Sequence, residues 1–248
     1  MPDSLQDVAL TRPEPAAQPG RLDDRLYDLV ETRFRRIIRD NPLVGTYLGI
    51  HTEDHRLGDA SRDAVLGELA ADKAHLTAVE AIDDAGLSAD ARFERDLEVH
   101  NVRRSIFDAE TVRTWERRST ALDVIGDALF LSFAQDFAPL AERLASITSR
   151  LEAIPAYLDE SRTRATVPQV RAWQELEIES AADLPSFFDE IVTAGAILPD
   201  ADRRRLERAA QGARTAIADY AGTLTASLES GSDDWALGRE RYDELVEL

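Results

Sequence analysis

The chain has 248 residues, 44% of them hydrophobic and 31% charged, with no cysteine and a formal net charge of -19 at pH 7. Disulfides, thiol nucleophiles and thiolate metal sites are therefore excluded. The negative field repels nucleic-acid phosphates and anionic membrane surfaces, and no apolar run reaches the length of a membrane span, so neither nucleic acid nor membrane is expected as a partner.

Residues 1–20 are polar and rich in Pro and Ala, with no basic start and no apolar core. They read as a disordered leader rather than a secretory signal, and the compartment as cytoplasmic. Residues 21–248 read as a single helical domain. Leu22, Leu26, Leu29, Val30, Phe34, Ile37 and Ile38 recur at three- and four-residue steps, which predicts a helix ending before Asn41-Pro42. Arg33 to Arg36 read as a solvated face of that helix, as do Arg203 to Arg205 later. Asn41 caps a short second helix with Pro42 at its first position, and Gly49 is its left-handed stop. Ser61 caps a third helix with the stripe Val65, Leu69, Leu76, Val79 and Ile82, ended by Gly86. Ser88 opens a fourth, carrying Phe93, Leu97, Val99, Val102, Ile106 and Phe107.

Apolar residues cover most of the circumference of the helix around Leu122 to Phe133, which predicts that it is the most buried. Pro139 starts the next helix, with Leu140, Leu144, Ile147, Leu151 and Ile154, and Pro155 kinks or restarts it. Later stripes are Phe187, Phe188, Ile191 and Val192, then Leu206, Ala209, Ala213, Ile217, Tyr220 and Leu224. No stretch alternates with β-branched residues. The expected fold is all-α, an array or bundle of antiparallel amphipathic helices with essentially no sheet. Glu229 to Asp234 reads as a loop, and Arg239 to Leu248 as a helix beginning with no stop signal. That reading fits equally an element that continues and a natural frayed end.

Several chemistries are absent. None of His51, His55, His75 and His100 is followed by Glu, so there is no H-E-x-x-H; G-x-G-x-x-G, P-loop and G-x-S-x-G motifs are also missing. No catalytic or cofactor-binding residue is identified. His51, Asp54, His55 and Asp59 are the candidates for a loop metal site, since imidazole and carboxylate suit zinc; the same residues equally serve to bond the backbone of their own turn. Asp72 and His75 sit three apart as in a carboxylate-bridged metal bundle, but no second pair exists, and they are expected to face water. His100 and Arg104 continue the stripe of Phe93 and Leu97 as a buried polar pair. Trp115, Trp173 and Trp235 are expected as core or interface anchors.

Four segments together resemble a bacterial family, domain of unknown function 885, that is regarded as related to gluzincin zinc metallopeptidases. They are Asn41-Pro42, Thr46, Leu48-Gly49, His51, Asp54, Arg56-Leu57, Asp59 and Ser61; Phe107-Asp108 with Arg113 and Trp115; Asp136 to Leu140 with Arg143-Leu144, Arg150-Leu151, Ile154-Pro155 and Leu158; and Trp235, Leu237-Gly238, Glu240 and Tyr242. The resemblance implies zinc for full-length members, which are more than twice as long and carry H-E-x-x-H in a later half. It implies that this chain is the N-terminal helical portion of such a protein, without catalytic residues and inactive as it stands. Its partner would then be the absent C-terminal half. The alternative is a self-sufficient interaction module or homo-oligomer that covers the same apolar face with a copy of itself.

Overall fold

A computed structural model describes Val8 and residues 19–248. Apart from Val8, Pro19 and Gly20, the expected leader lies outside the described residues. The architecture is all-α: α1 (Asp23–Asp40), α2 (Pro42–Tyr47), α3 (Arg62–Glu80), α4 (Ala89–Phe107), α5 (Thr114–Arg117), α6 (Ala121–Ala134), α7 (Leu140–Arg162), α8 (Arg171–Ala194), α9 (Asp200–Ser227) and α10 (Arg239–Glu247). Among the described residues the β-type pairing recorded is one isolated bridge, Val170 to Ser232. No helix among them is long and apolar enough to cross a membrane.

The chain divides into two compact units, each assembled from separate stretches. One comprises Ile38–Arg62 and Trp115–Trp235. Its centre is α7, against which α6 and α9 pack, with α8 against α6 and α9. The stripe read from α9 is the stripe that is buried: Leu206, Ala209, Ala213, Ile217, Tyr220 and Leu224. Leu144, Ile147, Leu151 and Ile154 of α7 are fully enclosed, each worth about 1.5–3 kcal/mol of transfer free energy. Pro155 does not restart α7, which runs through it. The residue lies on the exposed side, where water can take the carbonyl that its missing N–H leaves unbonded. Phe130, expected inside, is exposed, so α6 is not enclosed all round.

The other unit holds most of α1, with α3, α4 and α10. Leu26, Val79, Ile82, Leu87 and Ala91 form its small core. Here the sequence reading needs correction at several points. α3 ends at Glu80, and Gly86 belongs instead to a separate 3-10 turn, Asp84–Gly86, capped by Asp83. Phe93 and Leu97 of α4 are 68% and 44% exposed, while Val102 and Phe107 from the same stripe are buried. His100 and Arg104 are exposed rather than a buried pair, and His100 Nδ1 lies 3.0 Å from the Leu248 carbonyl oxygen. Helical spacing marks a face; it does not say what covers it. Of the tryptophans, Trp235 stands 66% exposed rather than anchoring a core.

Candidate functional site

The segment from Asn41 to Ser61 is shaped by its glycines and held by one arginine. Asn41 occupies the N-cap position of α2, yet its side chain makes no capping bond. Gly49 takes the left-handed conformation, φ 74°, and stops the helix as its sequence position implies. Gly58 has φ 93°, and a Cβ there would stand 2.9 Å from the Asp40 carbonyl oxygen, so both backbone conformation and space demand glycine.

Beneath this loop lies Arg150 of α7, with no solvent exposure. Its guanidinium donates to the carbonyls of Arg56 (3.0 Å) and Ala128 (2.7 Å), to Ser132 Oγ (2.7 Å), to Thr46 Oγ1 (2.8 Å) and to Asp54 Oδ1 (3.4 Å). Burial pulls its pKa below the ordinary arginine value, and the Asp54 charge opposes that shift. Thr46 Oγ1 in turn donates to Asp54 Oδ1 at 2.6 Å. The second oxygen of Asp54 lies 2.8 Å from His51 Nδ1, and the imidazole stacks flat on Phe137, ring centroids 3.5 Å apart. One heptad earlier on α7, Arg143 donates to the Phe133 carbonyl at 2.5 Å and to the Ala138 carbonyl at 2.9 Å, tying the end of α6 to the start of α7. Two of the motif positions behind the resemblance are thus structural clamps. Their signal in the sequence is that both arginines sit on the buried face of an otherwise apolar stripe, a seven-residue step apart, where only a fully bonded charge is tolerated.

The four metal candidates are not brought together as ligands. Asp54 is consumed by Thr46, Arg150 and His51, Asp59 Oδ1 accepts the Ser61 amide at 2.8 Å, and His55 is exposed. Among the described residues no three His, Cys, Asp or Glu side chains are placed to share a metal ion. These four side chains are therefore not arranged as a zinc ligand set.

The second unit holds a charged cluster that the sequence reading had assigned to water. Asp72 is 4% exposed. It receives two bonds from Arg33, Nε at 3.1 Å and Nη2 at 3.2 Å, and a further one from Arg36. Glu98 stands 3.7 Å from Arg33 Nη1 and 2.7 Å from His75 Nε2. The arginines expected on a solvated face thus bury an aspartate between them, since a carboxylate gains more from two guanidinium forks than it loses in hydration only when both are present.

A family model described as bacterial protein of unknown function, DUF885, matches residues 42–248. A solved structure titled "The structure of a putative lipoprotein of unknown function from Shewanella oneidensis" superposes with a TM-score of 0.76 at 20% identity, a likeness of fold alone. The alignment covers 88% of this chain and 41% of that one, so this chain spans well under half the length of that relative. No curated protein matches the chain. With the match running from Pro42 to Leu248, the chain belongs to the DUF885 family of bacterial proteins of unknown function.

Proposed function

We propose that this chain is the helical, non-catalytic part of a longer DUF885 architecture of the zinc-metallopeptidase type, and that it hydrolyses no peptide by itself. The observation that carries the reading is the fate of its His and acidic side chains at the motif positions. His51, Asp54 and Asp59 are bound to their own loop or to Arg150, and no trio converges among the described residues. The coverage of 41% of the solved relative supports a place for the chemistry on further polypeptide. In such a protein the Arg150 cluster fixes a rigid wall, and the cleft chemistry belongs to other residues. The test is a peptidase assay on the purified chain with added zinc, alongside metal analysis after dialysis. Stoichiometric zinc together with zinc-dependent hydrolysis would sink the proposal.

A second reading, a self-sufficient interaction module that pairs with a copy of itself, is favoured by the exposure of Phe93 and Leu97 on one face of α4. Light scattering separates the two. A stable dimer that Phe93→Asp dissociates favours the module; a monomer with unchanged mass favours the first reading.

A further inference from the structure

In the unit built on α7, a groove of about 580 Å³ runs between α6 and α8. Its charge is lopsided. Asp123, Asp127, Glu177, Glu179 and Asp183 line it, against a single cation among the described residues, Arg118. Arg118 is committed at one end, 3.4 Å from Asp123 and 5.7 Å above the ring of Trp173. Asp127 accepts from the Tyr47 hydroxyl at 2.6 Å. Glu179 and Asp183 stand exposed along the rim. An acidic rim alone would mean little on a chain of net charge -19.

Glu177 is the feature that points to a ligand. It is 4% exposed, the one carboxylate of the groove that is buried. Both of its bonds go to one oxygen: Oε1 accepts from the Leu122 amide at 3.0 Å and from Ser119 Oγ at 3.0 Å. No bond to the other oxygen, Oε2, is seen among the described residues, and Glu177 lines the groove. Burial raises the pKa of this acid, which its two bonds at Oε1 oppose. A buried carboxylate with one oxygen left without a bond, among other acids of the groove, is an acceptor for a cation. Leu122, Leu184 and the Trp173 ring supply apolar and aromatic surface beside it. A metal ion would gain nothing from that surface, whereas an ammonium on an aliphatic stem uses both parts.

We infer that the α6–α8 groove binds alkylammonium groups, the cation seated on Glu177 Oε2 and the stem along Leu122, Leu184 and Trp173. The same chemistry is offered by a free diamine and by a lysine side chain of a peptide. The site is independent of where any proteolytic chemistry resides.

The test is calorimetric titration of the full chain at 0.15 M salt with 1,5-diaminopentane and, separately, with acetyl-Ala-Lys-Ala-amide. Saturable one-to-one binding of either supports the site, and the tighter of the two identifies the source. Glu177→Gln keeps an Oε1 to accept both existing bonds and turns an N–H₂ toward the groove, so binding falls about tenfold or more while the fold persists. Gly126→Leu fills the groove without touching charge; a Cβ there meets only Leu184 Cδ1, at 3.7 Å, and binding is lost. Circular dichroism confirms that each variant is folded. No saturable binding by either probe, affinity unchanged in both variants, or stronger displacement by magnesium than by sodium at matched ionic strength would overturn the inference.

Discussion

Two charged clusters of this molecule, around Arg150 and around Asp72, use the same residue types in opposite ways. Around Arg150 a cation is enclosed and most of its partners are neutral: two carbonyls and two hydroxyls, with Asp54 at the longest distance, 3.4 Å. Around Asp72 an anion is enclosed, and its partners are the guanidinium groups of Arg33 and Arg36, whose side chains keep 13% and 17% exposure. The first cluster is a hydrogen-bond socket in which dipoles replace water. The second is an ion-pair network at the edge of solvent, where Coulomb attraction carries more of the balance and salt reaches it. The contrast predicts that the first tolerates no change of geometry and little change with ionic strength, while the second tolerates more and responds to salt.

Arg150→Met is the largest expected loss. It removes the guanidinium and leaves Asp54 buried beside a thioether, at a cost of about 3–5 kcal/mol by urea denaturation. Arg150→Lys should lose nearly as much, because one ammonium cannot reach acceptors that the planar fork spans. A loss below about 1 kcal/mol for both would show that the socket is ornamental to the fold.

Next comes a pH effect in the same unit. Burial pushes the Tyr157 hydroxyl up to about 12 from an ordinary value of 10.0. The neutral form is the one the folded state favours. Its stabilisation is therefore complete below pH 10, the unfolded value, and is lost as pH rises through 12. The size is about 3 kcal/mol across that window. Tyr157→Phe should flatten the alkaline limb of a stability-against-pH curve by that amount; an unchanged limb would assign the alkaline loss to other groups.

Asp72→Asn tests the other cluster. It leaves two arginines facing each other with half their acceptors gone, for a loss of about 2 kcal/mol. Raising salt from 0.05 to about 1 M should shrink that difference, while the Arg150→Met difference stays constant. Equal salt dependence of the two would erase the distinction drawn between socket and network.

The sequence shows one side of this contrast and hides the other for a physical reason. The α9 stripe from Leu206 to Leu224 is legible because it is local: a 3.6-residue period marks a buried face without reference to what buries it. Gly49 is legible because its need for positive φ is a property of one residue. Arg33 and Arg36 read as solvated because their own helix carries acids, whereas the partner they bury, Asp72, comes 39 and 36 residues later. Thr46 and Arg150 are 104 residues apart, and no short window contains both. Phe93 and Leu97 fail in the opposite sense, having the spacing of a core without a cover among the described residues. The candidate groove was illegible altogether. Glu177 is one acid among 48 Asp and Glu residues, and only its burial and its one-sided bonding separate it from the rest.

The smallest effect belongs to Ser105, and its pairing with Thr46 is the sharpest comparison, because each cluster includes a hydroxyl that can be deleted. Thr46 Oγ1 accepts from Arg150 at 2.8 Å and donates to Asp54 at 2.6 Å, so Thr46→Val leaves two buried charges each short of a partner. Ser105 Oγ accepts from Arg33 at 3.4 Å, a long bond beside a guanidinium that already holds Asp72 twice. Thr46→Val should therefore cost about 2 kcal/mol and Ser105→Ala about 0.5 kcal/mol or less. If the two deletions cost the same, neutral hydroxyls are not what makes the Arg150 socket possible. The Asp54 charge, despite its greater distance, would then have to be assigned most of the compensation.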